Sequence, residues 1–188
     1  MARLNGRGYL ILVGGLGVER LAELAWSARN RRRSGPGRRA APSTFPLMVA
    51  VNVGLFAVCA ARARGRPAPP PAVGGAARVG LGGAVALRLW CIRSLGEAWN
   101  VQASVPQRLR PVTSGPYRFV RHPNYVAVAL EFACLPVAGG AYTEALWLSA
   151  TNALVLVPRI RAEEALLDAV PGYREAFAGV PRFLPRLR

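Results

Sequence analysis

Lysine is absent: all 25 basic residues are arginine, against 9 acidic ones, for a formal charge of +16. Alanine, glycine and proline are abundant, the bias of a GC-rich genome, so the missing lysine excludes little. Cysteine is more informative. Cys59, Cys91 and Cys134 stand singly within apolar stretches, without the paired spacing that a zinc site or a redox dithiol needs. No metal is expected, and they read as small buried hydrophobes. Aromatic residues make up only 8% of the chain and are not interleaved with the arginine runs. Without such stacking platforms no nucleic-acid partner is expected.

What the chain does have is a hydrophobic fraction of 52% and a positive mean hydropathy beside its large charge. Apolar and basic residues must therefore be segregated, a membrane-protein pattern, and anionic membrane lipids of the inner leaflet are the expected partner of the arginines. At about 20 residues per crossing, hydropathy predicts an all-α bundle of about five transmembrane helices near 8–28, 44–61, 73–95, 123–139 and 143–162. Arg3 and Arg7 before the apolar run 9–18 have the outline of a signal peptide; we expect this segment to be retained as the first span.

Arginine placement sets an orientation. Arg29, Arg31, Arg32, Arg33, Arg38 and Arg39 follow the first span, and Arg93, Arg108, Arg110, Arg118 and Arg121 precede the fourth, so both stretches should be cytoplasmic. The loop 138–142 has no basic residue and should lie outside. Arg62, Arg64, Arg66 and Arg78 dissent, flanking a proline-rich turn that this topology also leaves outside. Gly14, Gly15 and Gly17, then Gly80, Gly82 and Gly83, suit close helix packing.

The predicted spans are not clean. Glu19, Asn52, Arg88, Glu131 and Asn152 fall roughly 10 to 15 Å below the cytoplasmic boundary at 1.5 Å rise per residue, so five helices contribute polar groups to one level. Glu19, Glu23 and Ser27 share a helix stripe, and Arg20 and Ser27 a face. A cavity open to the cytoplasm would solvate them; structural ion pairing, such as Arg88 with Glu131, is the alternative.

Between the third and fourth spans, proline and glycine break any continuous helix. Here stands Gly115-Pro116-Tyr117-Arg118-Phe119-Val120-Arg121-His122-Pro123-Asn124-Tyr125, with the single histidine of the chain. Pro123 suits the first turn of a helix, and free N–H donors, the helix dipole and Arg121 there suit an anionic group. A second cluster, Arg159-Ile160-Arg161-Ala162-Glu163-Glu164, sits at the exit of the last span. Arg159 and Glu163 lie four apart on one face, and the paired carboxylates offer acceptors to a cationic or hydroxylated ligand. Tyr173, Phe177, Pro181, Phe183 and Pro185 among basic residues fit an amphipathic, surface-lying C-terminal tail.

The Gly-Pro-Tyr element leading to Arg-His-Pro-x-Tyr, the Arg-x-x-x-Glu-Glu element and the proline-ended tail together resemble the isoprenylcysteine carboxyl methyltransferase family, from Trp99 onward. Glu19-Arg20-Leu21-Ala22-Glu23-Leu24, followed by Ser27, Arg29 and Asn30, resembles a bacterial subgroup associated with O-methylation of alkylpyrones or alkylresorcinols. Val126-Ala127 departs from the family's frequent glycine after the motif tyrosine, and Phe177 stands where a second tail tyrosine is common. The resemblance implies one membrane domain over 1–188, in which residues 1–98 form a three-helix region and residues 99–188 a cofactor-binding region. It implies S-adenosylmethionine in a cytoplasmic pocket, bound by Gln102, Tyr117, Arg121, His122, Pro123, Tyr125, Glu163 and Glu164, with Arg159 and Glu163 in catalysis. The expected reaction is O-methylation of a lipophilic small molecule, either an isoprenylcysteine-like carboxylate or a polyketide phenol or enol, at the inner face of a bacterial cytoplasmic membrane. An NADPH-dependent membrane lipid reductase and a non-catalytic anionic-lipid binder are the alternatives.

Overall fold

A computed structural model describes residues 6–34, 38–40, 43–63, 67–102, 104–105 and 110–186. Arg3, Arg64, Arg66, Pro106 and Arg108 lie outside the described residues, as do the side chains of Arg38 and Arg39. Five long helices carry the fold: α1 (Gly6–Ser34), α2 (Thr44–Arg62), α3 (Pro71–Leu95), α4 (Pro123–Ala138) and α5 (Tyr142–Leu167), followed by the single-turn α6 (Tyr173–Ala176). The one extended pairing among the described residues is a two-residue antiparallel ladder, β1 (Arg38–Arg39) with β2 (Ser104–Val105).

The boundaries follow local chemistry. Pro71 opens α3 and Pro123 opens α4, each where its missing N–H has no intrahelical partner to lose. Gly96, at φ 53°, ends α3 in a conformation that a side chain disfavours. Arg31, Arg32 and Arg33 occupy the last turn of α1, where cations complement the helix dipole. Each long helix coincides with an expected span to within a few residues at most ends. The exceptions are the C-termini of α1 and α5, which run on to Ser34 and Leu167, so the whole Arg159–Glu164 cluster rides on one continuous helix, with Arg159 and Glu163 on one face as expected.

By length and composition, two helices are apolar enough to cross a membrane: Thr44–Arg62, and Pro71–Ala98 including the turn after α3. Pro123–Ala138 is apolar but shorter. Ile11, Leu146 and Leu154 are each at least 75% exposed, an apolar exterior suited to lipid rather than water.

Inside, Tyr9, Val13 and Leu16 of α1 pack with Leu55 and Cys59, Leu81, Phe132 and Leu135, and Leu148, so all five helices meet in one core. Tyr9 Oη donates to the Leu135 carbonyl at 2.9 Å, tying α1 to α4. Cys59 and Cys91 are buried, Cys134 half-buried, and all three are free thiols. Of the six glycines expected at helix contacts, only Gly80 meets a packed neighbour: a Cβ there would fall 2.7 Å from Cys134 Sγ, whereas at Gly14, Gly15, Gly17, Gly82 and Gly83 nothing lies within 4 Å. That corrects the packing expectation for those five, which face cavity or exterior. Arg62, one of the dissenting arginines, pairs through Nε with the buried Glu144 at 3.2 Å; its charge is offset locally and need not follow the positive-inside bias.

Candidate functional site

The Arg-His-Pro turn is held from three sides. Gly115 starts a short 3-10 turn at φ 62°, where a Cβ would collide with Ser94 Oγ at 2.0 Å, so glycine alone lets the segment seat against α3. His122 then caps α4. The tail runs back alongside: Arg121 N–H donates to the Pro181 carbonyl at 2.8 Å and His122 N–H to the Arg182 carbonyl at 3.0 Å. On the far side His122 Nε2 lies 3.0 Å from Glu164 Oε1, and Arg182 makes a fork to the same carboxylate at 2.8 and 2.6 Å. Burial alone would raise the Glu164 carboxyl, but the bonds from Arg182 and His122 outweigh it and hold it below its ordinary value.

Across the turn, α5 supplies a chain of contacts. Arg159 Nε donates to Tyr125 Oη at 3.2 Å, and Tyr125 Oη donates in turn to Glu163 Oε2. Arg159 Nη2 is anchored on the Val101 carbonyl, while Nη1 is buried with no partner. A guanidinium fixed at two corners with a third donor free is a ready anchor for a polar oxygen.

These groups border a cavity of about 320 Å³. Its polar wing is walled by Arg110, Tyr117, Arg121, His122, Pro123, Tyr125, Arg159 and Glu163, with Trp99, Tyr173 and Phe177 as aromatic faces. Burial holds the Tyr117 phenol well above its usual range, and pushes Tyr173 up to about 12 against the pull of Arg121, so both remain hydrogen-bond donors at neutral pH. The apolar wing is formed by Gly17, Leu21 and Leu24 of α1 with Met48, Val49, Val53 and Phe56 of α2. Leu21 and Val53 also face outward, 66% and 62% exposed, so this wing lies next to the apolar exterior.

Seven of the nine expected site residues, Tyr117, Arg121, His122, Pro123, Tyr125, Arg159 and Glu163, therefore share one cavity. Glu164 and Gln102 do not line it. Glu164 turns to His122 and Arg182 instead, and Gln102 sits behind the wall with its backbone N–H on Asn100 Oδ1 at 2.8 Å. Residues not singled out by sequence include Asn100, Asn124 and Arg110 in the wall and Arg182 behind it. Nothing in the tail marks Arg182 among its basic neighbours, since its role comes from chain reversal. Among the described residues, no group of three or more His, Cys, Asp or Glu is arranged to hold a metal ion.

A buried charge network adjoins the two wings. Arg88, fully buried, reaches Glu131 at 3.0 Å, Glu23 at 3.1 Å and Glu19 at 3.6 Å. Arg20 pairs with Glu23 at 2.8 Å and also with Glu131. The expected Arg88–Glu131 partnership is present, and Arg20 and Glu23 line the cavity. Asn52 lines it too but donates back to the Met48 carbonyl at 2.9 Å; Asn152 is buried outside its wall.

A stretch of 82 residues is 39% identical to "Uncharacterized protein YpbQ" of Bacillus subtilis, covering 44% of this chain and 49% of that protein. Over 105 residues the chain is 37% identical to "Cobalt-zinc-cadmium resistance protein CzcN" of Cupriavidus metallidurans, covering 53% of this chain and 43% of that one. The matches thus span about half the length of either relative. The sequence model of the isoprenylcysteine carboxyl methyltransferase (ICMT) family matches residues 81–169, from mid-α3 to just past α5. That match lies over the helices that bear the Arg-His-Pro turn and the paired glutamates.

Proposed function

We propose that this protein is an S-adenosylmethionine-dependent O-methyltransferase acting on a lipophilic acceptor, with its active site facing the cytoplasm from a bacterial inner membrane. The observation that carries the reading is the convergence of Arg121, His122, Tyr125, Arg159 and Glu163 on one cavity whose other wing is apolar and borders the exterior. Methyl transfer to an oxygen at the end of a greasy chain needs that combination.

The donor set fits the cofactor. Its carboxylate matches Arg121 beside the α4 N-terminus; its ammonium or ribose hydroxyls match Glu163; and Trp99, Tyr117, Tyr173 and Phe177 offer π faces to a sulfonium or an adenine. When bound, the cofactor supplies an electrophilic methyl group. The rest falls to the protein. Tyr125 fixes the Glu163 carboxylate, the free Nη1 of Arg159 orients the acceptor oxygen, Glu164 acts through His122 by holding the ring and the tail strap, and Gln102 supports the wall from behind. Positioning and fixed charge supply the rate enhancement. An isoprenylcysteine-like carboxylate and a polyketide phenol or enol both meet the requirement for an oxygen on an apolar chain.

The test is binding and turnover with purified protein in nanodiscs. S-adenosylmethionine should bind, NADPH should not, and labelled methyl should enter extracted lipids. His122→Ala and Glu163→Gln should each lower transfer by about 10²-fold or more while far-UV circular dichroism and melting stay near native. Binding of NADPH, or undiminished transfer by Glu163→Gln, would overturn the assignment.

A further inference from the structure

The matched segment 81–169 includes neither α1 nor α2, which wall the apolar wing of the cavity. Given the methyltransferase function proposed above, on which this reading rests, that wing is where the chain of the acceptor can lie. Gly17, Arg20, Leu21 and Leu24 line the cavity as one stripe of α1, with Glu23 at its edge; the spacing is that of a single helix face. At about 100° per residue, Gly17 stands near the middle of the stripe, with Arg20 and Leu24 to one side and Leu21 to the other. It is the one position of the four with no side chain to fill the space in front of it.

A Cβ at Gly17 would meet nothing within 4 Å, so no packing contact demands glycine there. Gly14 and Gly15 are equally clear of neighbours, but they are exposed and do not line the cavity. Glycine weakens a helix interior relative to alanine, and what it leaves at Gly17 is open room in the cavity wall. That room is far from the polar wing. Ser27 ties α1 to that wing, since its Oγ accepts from Val101 N–H at 3.1 Å and the Val101 carbonyl accepts from Arg159. From Ser27 back to Gly17 is about 15 Å along the helix. Between them the polar groups are committed to one another: Arg20 pairs with Glu23 and Glu131, and Asn52 donates to the Met48 carbonyl. A ligand meets Leu21, Leu24, Val49, Val53 and Phe56.

We infer that Gly17 is a specificity-determining residue for the acceptor: its missing side chain keeps the far end of the apolar wing open, and the acceptor is an amphiphile whose alkyl chain is long enough to run past it. The polar wing selects the reacting head, and Gly17 selects the chain. A short molecule with the same head gains nothing from the open end, whereas a branched side chain at position 17 closes it to a long one.

The experiment uses the full chain in phosphatidylcholine nanodiscs with two heads, each on a short and a long chain: pentylphenol and pentadecylphenol, hexanoate and hexadecanoate. Each rate is compared with native protein for the same probe, so partition into the bilayer cancels, and the two chain lengths are compared for whichever head is methylated. Gly17→Leu should lower kcat/KM for the long chain by about tenfold or more, as misfit in a hydrophobic pocket does, and leave the short chain within about threefold of native. Gly15→Leu makes the same exchange on the exposed face and should leave the ratio of long to short unchanged. Both variants should bind S-adenosylmethionine as native protein does. A readout apart from turnover is photolabelling of native protein by pentadecylphenol carrying a diazirine near the chain end. Adducts displaced by excess unlabelled pentadecylphenol should map to α1 around Gly17 and to α2 around Phe56.

Equal loss for long and short chains in Gly17→Leu, undiminished long-chain transfer, or the same shift in Gly15→Leu overturns the inference. So do displaceable adducts confined to other helices, or none at all, a result that native protein gives whether or not a variant folds. Failure of native protein to bind S-adenosylmethionine would instead overturn the methyltransferase reading, and the adduct positions do not depend on it.

Discussion

Replacing Arg88 with methionine removes the positive centre of the buried network while keeping an unbranched apolar stem. Arg88 is 0% exposed and is the group common to Glu19, Glu23 and Glu131. Without it, three carboxylates face Arg20 alone, and the excess of one buried negative charge becomes two. Breaking a buried pair from one side costs about 3–5 kcal/mol, whereas exchanging both partners for apolar groups of similar volume is often neutral. Arg88→Met should therefore lose about 3–5 kcal/mol, and the Arg88→Met, Glu131→Met double variant should return to within roughly 1–2 kcal/mol of native, a coupling energy of about 3 kcal/mol. The assay is reversible unfolding in mixed micelles, titrating a denaturing detergent and following helicity by circular dichroism. A double variant as unstable as the sum of the two singles would refute the pairing.

Gly80→Ala, whose new methyl would fall 2.7 Å from Cys134 Sγ, should cost about 1–3 kcal/mol by overpacking α3 against α4, and Cys134→Ala in the same protein should relieve much of it in the same unfolding assay. Glu164, with its carboxyl depressed by Arg182 and His122, should hold the tail at neutral pH. A depressed carboxyl contributes stability above its unfolded value and loses it as pH falls through its folded one, so hydrogen exchange at the Arg121 and His122 amides, which donate to the tail, should rise below the ordinary glutamate range of about 4. Glu164→Gln should show that fast exchange at neutral pH.

Helix number and extent were legible because proline and glycine mark the ends of apolar runs: Pro71, Gly96, Pro123 and the Gly139–Gly140 pair fall where α3 and α4 start or stop. The two site clusters were legible as residue types too dense in titratable and aromatic groups to be mere connections. Three features were not legible. The tail strap depends on backbone bonds from Arg121 and His122 to residues some 60 positions away, which no side-chain pattern announces. Glu163 and Glu164 are adjacent and alike in sequence, yet successive residues on a helix diverge by about 100°, so one meets Tyr125 while the other meets His122 and Arg182. Equal depth identified Glu19, Arg88 and Glu131 as neighbours, but the same depth did not predict that Asn52 bonds its own helix or that Asn152 stands outside the cavity wall. Depth gives a level and leaves the facing direction free.

The network that joins α1 to α3 and α4 also bears on how such a chain is assembled. Left by itself in hydrocarbon, α1 would carry Glu19, Arg20 and Glu23 at roughly 2.5–3.5 kcal/mol each near mid-bilayer, more than its flanking apolar residues readily offset. Its counter-charges, Arg88 and Glu131, belong to helices that follow it by some 60 to 110 positions. The charges of α1 are therefore neutralised only once α3 and α4 stand beside it, so this helix can be seated no earlier than the two whose side chains complete its pairs.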